Sequence, residues 1–174
     1  MSSTRVVVTG IGITSPIGNT LRAASGALRE DRHGIVHMPE FAEISHLKTQ
    51  LGAPVRGLEL SYPRKKVRTM GRVSLLSLYA TDDAVRDAGL SEEQLTSGTV
   101  GIAYGSTAGS SAANEEWCRK AFVSRGIAGI QSTEYLKFMS HTCAANLAIY
   151  YGLTGRVIST CSACVSGSLR SALS

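Results

Sequence analysis

Short apolar and β-branched runs flanked by glycine predict three strands, and apolar positions at helical spacing predict the segments between them. "RVVVTG" (5–10) is β-branched on consecutive positions and ends at Gly10, which predicts a strand buried on both faces. "TVGIAYGS" (99–106) predicts a second buried strand entering a glycine-rich turn, and "GRVIST" (155–160) a third. Between the first two, "GITSPIGN" is a loop by composition. "TLRAASGALRE" (20–30) predicts a helix capped by Asn19 or Thr20. "GRVSLLSLYATDDAVRDAGL" (71–90) predicts a longer one, with Val73, Leu76, Ala80, Ala84 and Ala88 near one face and Gly89 as its stop. Residues 31–69, with Pro39, Pro54 and Pro63, lack either period and predict a surface excursion. Further helices are expected over 110–122 and over 132–153, the latter with a Ser or Thr cap and Glu134 in its first turn. A last helix of small residues is expected from Cys161 onward. No internal repeat is present, and the alternation of strands and helices predicts an α/β layered fold.

Composition narrows this picture. The 174 residues suffice for one domain with a core, and 43% hydrophobic against 18% charged positions exclude a disordered chain. The net charge of +5 suits an acidic partner. It does not point to nucleic acid, because no aromatic-rich or Arg-rich motif accompanies it. No apolar run reaches the length of a membrane span, and the three valines near the start are too few for a secretory segment. A cytoplasmic protein with its four cysteines as free thiols is therefore expected. The final helix stops after about three turns at 3.6 residues per turn. On that ground residues 1–174 are expected to be the N-terminal portion of a larger domain, truncated within that helix.

The chemistry concentrates in "TCSACVSGS" (160–168). Cys161 and Cys164 admit three readings: a redox pair, half of a metal site, or a nucleophile with a neighbour. The redox reading has the right strand-then-helix context, but no proline or aromatic residue stands in or beside the motif. A metal site needs two more ligands, and His141 with Cys143, two apart on a predicted helix, do not face one point. No metal and no cofactor is therefore expected. A nucleophile needs one thiol at a helix start, where free N–H groups and the helix dipole favour the thiolate. Cys164 suits that role, because Cys161 continues the strand and is expected to point into the sheet core. Two buried packing thiols are the plain alternative.

Motif context decides among these. "RVVVTGIGITSPIGN", "RKKVRTMGRVSLLSLYATDDAVRDAGL", "VGIAYGSTAGS" and "YYGLTGRVISTCSACVSG" occur in the order found in the ketosynthase branch of the thiolase superfamily. The chain resembles the N-terminal half of the beta-ketoacyl-acyl carrier protein synthases over its whole length. The cysteine segment is the most specific part. Arg156 stands where the family often has proline, and Cys161 where it commonly has a small residue.

The resemblance implies a thiolase-like α/β/α fold whose C-terminal half is absent, and a decarboxylative condensation on Cys164. It implies an acyl carrier protein as partner, a homodimer or ketosynthase heterodimer, and the remainder of a ketosynthase chain. That remainder carries the family's two histidines, which His33, His37, His46 and His141 do not match; residues 1–174 alone are expected to be inactive in condensation. Arg64, Lys65, Lys66 and Arg68, in "PRKKVR", form a positive patch where the family docks its carrier protein. "KFMSHTCAAN" (137–146) resembles the family's dimer-contact segment beside the acyl pocket, and the resemblance implies that Met139, His141 and Thr142 in it line that substrate pocket. "GSTAG" (105–109) lacks P-loop spacing and is expected to be a tight structural turn. Two other functions compete with the condensing enzyme. One is a non-catalytic chain-length partner subunit, which typically lacks the nucleophile. The other is a CxxC thiol oxidoreductase.

Overall fold

A computed structural model describes residues 5–123 and 129–167. Its contacts separate into two compact units, one of residues 1–60 and 79–89 and the other of 61–78 and 90–174. The helices are α1 (Leu21–Arg29), α2 (Arg64–Val67), α3 (Arg72–Asp87), α4 (Glu92–Thr96), α5 (Ser111–Cys118) and α6 (Thr142–Tyr151). The strands are β1 (Val36–His37), β2 (Leu51–Gly52), β3 (Ile102–Gly105) and β4 (Val157–Thr160).

In the first unit, Thr20 caps α1: its hydroxyl accepts the Ala23 N–H at 3.2 Å. Ala24 and Ala27 form the buried face of α1. The excursion is more ordered than its composition suggests, with β1 and β2 antiparallel and Val36 opposite Gly52. The expected strand over 5–10 is not formed. Val6 is 91% and Val8 80% exposed, and no strand among the described residues pairs with this run. A strand exists only through its ladder, so a strongly β-branched sequence without a partner stays irregular. What this segment does contribute is backbone packing. A Cβ on Gly12 would lie 1.7 Å from the Ala80 carbonyl oxygen, and one on Gly10 would lie 2.3 Å from that of Ala84. Glycine on one side and alanine on the other bring the segment onto the α3 backbone. There the Ile11 N–H donates to Asp87 Oδ2 at 3.0 Å.

In the second unit β3 and β4 pair in parallel, from Ile102 opposite Val157 to Gly105 opposite Thr160. Met70, Leu78 and Leu147 form the core beside them, with Leu75, Ile102 and Tyr104 packed around it. The α3 face differs from the expected one, because Ser74 and Leu78 are its buried residues. Ser74 is tolerated there because its hydroxyl lies 3.1 Å from the Cys143 sulfur on α6. Asn146, also on the buried side of α6, lies 2.8 Å from the Thr69 hydroxyl through Oδ1, and its amide donates to the Thr69 carbonyl at 3.2 Å. Helix α4 was not expected from periodicity. It starts with a capping box in which Ser91 and Gln94 satisfy each other's backbone N–H groups.

The long helix expected over 132–153 is broken, and the reason is a competition for acceptors. Gly109 N–H donates to the Phe138 carbonyl at 3.0 Å and Ser110 N–H to that of Lys137 at 3.1 Å. A continuous helix would have used both carbonyls four residues on. What remains is a short 3₁₀ turn at Tyr135–Lys137, then α6 from Thr142 to the left-handed Gly152. Glycine permits the exchange, since a Cβ on Gly109 would lie 2.3 Å from the Phe138 oxygen. Glu134 leaves its expected first-turn role and pairs with Lys120 at 2.8 Å. Lys120 stands on a π-helical turn, Arg119–Val123, that ends the helix expected over 110–122. The Glu134 carboxylate bonded to it holds the Lys120 ammonium above its ordinary pKa. The Arg119 guanidinium likewise keeps the Glu116 carboxyl below its ordinary value.

Candidate active site

Strand β4 delivers its C-terminal end beside the end of β3, where the Ser106 N–H donates to the Thr160 carbonyl at 3.0 Å. The chain then turns sharply. Ala163 is left-handed at φ 47°, a conformation that costs a non-glycine residue of order 1 kcal/mol. A 3₁₀ turn, Ala163–Val165, places Cys164 at its centre. The helix expected from Cys161 therefore starts later, because the left-handed residue interrupts it. Leu169, Ala172 and Leu173, its expected apolar positions, lie outside the described residues.

Ser166 holds this turn together. Its hydroxyl accepts the Ser162 N–H and donates to the Ala163 carbonyl, both at 2.8 Å. Its carbonyl accepts the Thr160 hydroxyl at 2.9 Å. Gly105 lets it close: a Cβ there would lie 2.4 Å from the Ser166 oxygen. Neither Ser166 nor Gly105 was singled out from sequence. The available signal was a glycine at the end of one parallel strand and small residues after the thiol on the next.

Cys164 is exposed. The Val165 and Ser166 N–H groups are used within the turn, on the Ser162 and Ala163 carbonyls. The Cys164 N–H precedes them in the turn and makes no hydrogen bond among the described residues. Cys161 corrects the expectation that it enters the sheet core. It is exposed, and its thiol lies 3.7 Å from the Thr107 carbonyl. Thr107 belongs to the "GSTAG" segment, which leaves β3 at Gly105 and bends at Thr107, with the Ser106 hydroxyl donating to the Ala108 carbonyl at 2.9 Å.

Met139 and His141 are exposed on the stretch between the 3₁₀ turn and α6. Thr142 is buried, and its hydroxyl lies 2.5 Å from the Leu136 carbonyl and 2.7 Å from that of Met139. It shapes the backbone that presents the other two. No hydrogen bond among the described residues joins Cys164 to these three. Arg64, Lys65 and Lys66 lie on α2 and Arg68 follows it, all four exposed. Val67, between them, packs against the core. None of the four cations pairs with a carboxylate among the described residues. Lys66 Nζ rests 5.3 Å from the centre of the Tyr150 ring.

Residues 3–173 match the family described as beta-ketoacyl synthase, N-terminal domain. The chain belongs to the beta-ketoacyl synthase family. The 3-oxoacyl-[acyl-carrier-protein] synthase 1 of Haemophilus influenzae is 31% identical over 160 residues, spanning 92% of this chain and 39% of that relative. A solved beta-ketoacyl synthase from Burkholderia phymatum superposes with a TM-score of 0.86 at 35% identity, covering 96% of this chain and 41% of the other. The layered α/β fold is thus that of the N-terminal half of the thiolase-like ketosynthases. A ketosynthase solved with its type II acyl-carrier protein shares the fold at a TM-score of 0.64 and 22% identity, covering 92% of this chain and 38% of that one. The chain spans about two fifths of the length of the curated relatives it matches. No helix among the described residues is long and apolar enough to cross a membrane.

Proposed function

We propose that residues 1–174 form the N-terminal portion of a ketosynthase domain and carry its nucleophile, Cys164. The activity is a decarboxylative condensation by a beta-ketoacyl-acyl carrier protein synthase in fatty acid or polyketide synthesis. The observation that carries this reading is the built turn at the end of β4, which holds the exposed Cys164 thiol at the centre of a 3₁₀ turn within a chain of this family. The Cys164 thiolate attacks an acyl thioester, its S–C bond forms, and the carrier thiol leaves with a proton. The Cys164 N–H is one donor for the tetrahedral oxyanion. A malonyl thioester then loses carbon dioxide, its carbanion attacks the acyl group, and the Cys164 thiolate is released. The family's two histidines, which match no histidine of this chain, serve that second step. Met139 and His141 line the acyl pocket, with Thr142 positioning them. A homodimer or ketosynthase heterodimer in the cytoplasm belongs to the same reading.

The test is to incubate the intact protein with an acyl carrier thioester and map the acylated peptide by mass spectrometry. Acyl mass on Cys164 supports the reading; acyl mass on Cys161, or on neither, overturns it.

Arg64, Lys65, Lys66 and Arg68 dock the acidic carrier protein in this reading. Lys65→Glu with Lys66→Glu is expected to weaken carrier binding mainly through a slower on-rate, since rim charges steer encounter. The loss shrinks at high salt, where the Debye length falls to about 3 Å at 1 M. Stopped-flow association at two salt concentrations checks this, and equal rates at low salt would remove the patch from the docking site.

A further inference from the structure

The basic patch borders a hollow of mixed polar and apolar lining, with Ile149 and two tyrosine rings among its walls. On α6 the residues Cys143, Ala144, Asn146, Leu147 and Ala148 are buried, whereas Ala145 and Ile149, one turn apart, face outward. Ile149 is 77% exposed. Beside it lies a hollow of about 270 Å³, lined by Lys66, Glu92, Thr96, Ile149, Tyr150, Tyr151 and Gly152. That volume is below the roughly 300–1,000 Å³ of small-molecule pockets and suits a single side chain. Its aromatic walls pack against one another. Tyr150 stacks edge-on with Tyr62 at 5.9 Å and with Tyr151 at 5.1 Å. Lys66 is held over the Tyr150 ring.

We propose that this hollow takes one apolar side chain of the carrier protein, and that Ile149 is its anchor point. The inference rests on the docking reading above and adds the contact that sets how long the complex lasts. Charge complementarity selects the occupant. Lys66 is shared between patch and hollow, so a partner whose acidic residues lie over Arg64, Lys65 and Lys66 is brought to the hollow's edge. Glu92, on another wall, repels acidic groups and leaves the hollow to an uncharged side chain. Pre-set aromatic walls bind such a group without an ordering cost of their own. Cations that steer and an apolar anchor that retains divide the work between association and dissociation.

The experiment is surface plasmon resonance of the apo acyl carrier protein on the intact ketosynthase, at low and high salt. The variants are Ile149→Asn, Ile149→Leu and the Lys65→Glu, Lys66→Glu pair, each verified as folded by circular dichroism. Ile149→Asn is expected to raise the off-rate roughly tenfold at both salt concentrations, as loss of a buried aliphatic contact should. Ile149→Leu is expected to keep the wild-type off-rate within about twofold, being a similar-volume swap. If the charge-reversed pair binds poorly while Ile149→Asn dissociates at the wild-type rate, the patch docks the carrier and the anchor is refuted. If neither changes binding, the docking reading and the anchor fall together. An off-rate effect of Ile149→Asn that disappears at high salt also overturns the anchor, because it would be electrostatic.

Discussion

Cys164→Ala in the intact protein is expected to lower acyl transfer by at least about a thousandfold, the scale on which removing a covalent nucleophile acts. Cys161→Ala is expected to change it by less than about tenfold. The two thiols are close in sequence and both exposed, so accessibility does not separate them. Geometry does. Cys164 sits inside the turn that Ser166 holds, whereas Cys161 precedes the left-handed residue and lies near the Thr107 carbonyl. A chloroacetyl electrophile, followed by peptide mapping, reads the same difference without turnover. Cys164 should be modified first. Modification of Cys161 first, or full transfer by Cys164→Ala, would reverse the assignment and revive the oxidoreductase reading of the pair.

The second large effect is expected at Gly105. A methyl group at this position meets the Ser166 carbonyl oxygen at 2.4 Å and the Gly167 nitrogen at 3.0 Å, both backbone atoms. Backbone cannot rotate aside as a side chain can, so the turn must move. Gly105→Ala should therefore cost about 1–3 kcal/mol of stability, the usual range for overpacking. It should also slow acylation of Cys164 by up to about a hundredfold, the penalty for a reacting group displaced by about 1 Å. Gly26→Ala is the control, because Gly26 lies inside α1 with no heavy atom near its Cβ position. There the sign should invert, with a gain of about 0.5–1 kcal/mol from helix propensity. Thermal unfolding of both variants and the alkylation rate of Cys164 decide the matter. A Gly105→Ala protein with wild-type melting and labelling would mean that the Gly105–Ser166 contact does not position the thiol.

The parts of this fold that could be read from sequence are those whose cause is local. Thr20 caps α1 by its own hydroxyl, and Gly89 takes a positive φ of 65° just after α3. Strands β3 and β4 could be read because each is a short β-branched or apolar run whose partner lies in the chain itself. The capping box at Ser91 and Gln94 is equally local, yet α4 is only 5 residues long, too short for an apolar period to mark it. What could not be read depends on distant backbone. The break before α6 arises because Gly109 and Ser110 claim two carbonyls. Nothing within "STEYLKFMSHTCAANLAIYYGL" signals that competition. Val6 to Val8 carry a strand's sequence, yet pairing belongs to two segments and the described chain offers one. At the candidate site, the motif alone is what points to Cys164. The left-handed Ala163 and the Ser166 bridge carry no such signal, because alanine and serine announce neither role.

The parallel pairing of β3 with β4 also sets an order in time. These two segments are separated in sequence by the whole of α5 and α6, so closing them carries the entropy of a long loop. Helices α1 and α3 need no such closure and can form while the chain is still short. The turn around Cys164 exists only once Thr160 has met Gly105 and Ser166 has settled against that glycine. The turn that holds the Cys164 thiol is thus expected to form after these helices. Until then Cys164 belongs to an unstructured segment, where its thiol has no more claim on an electrophile than that of Cys161.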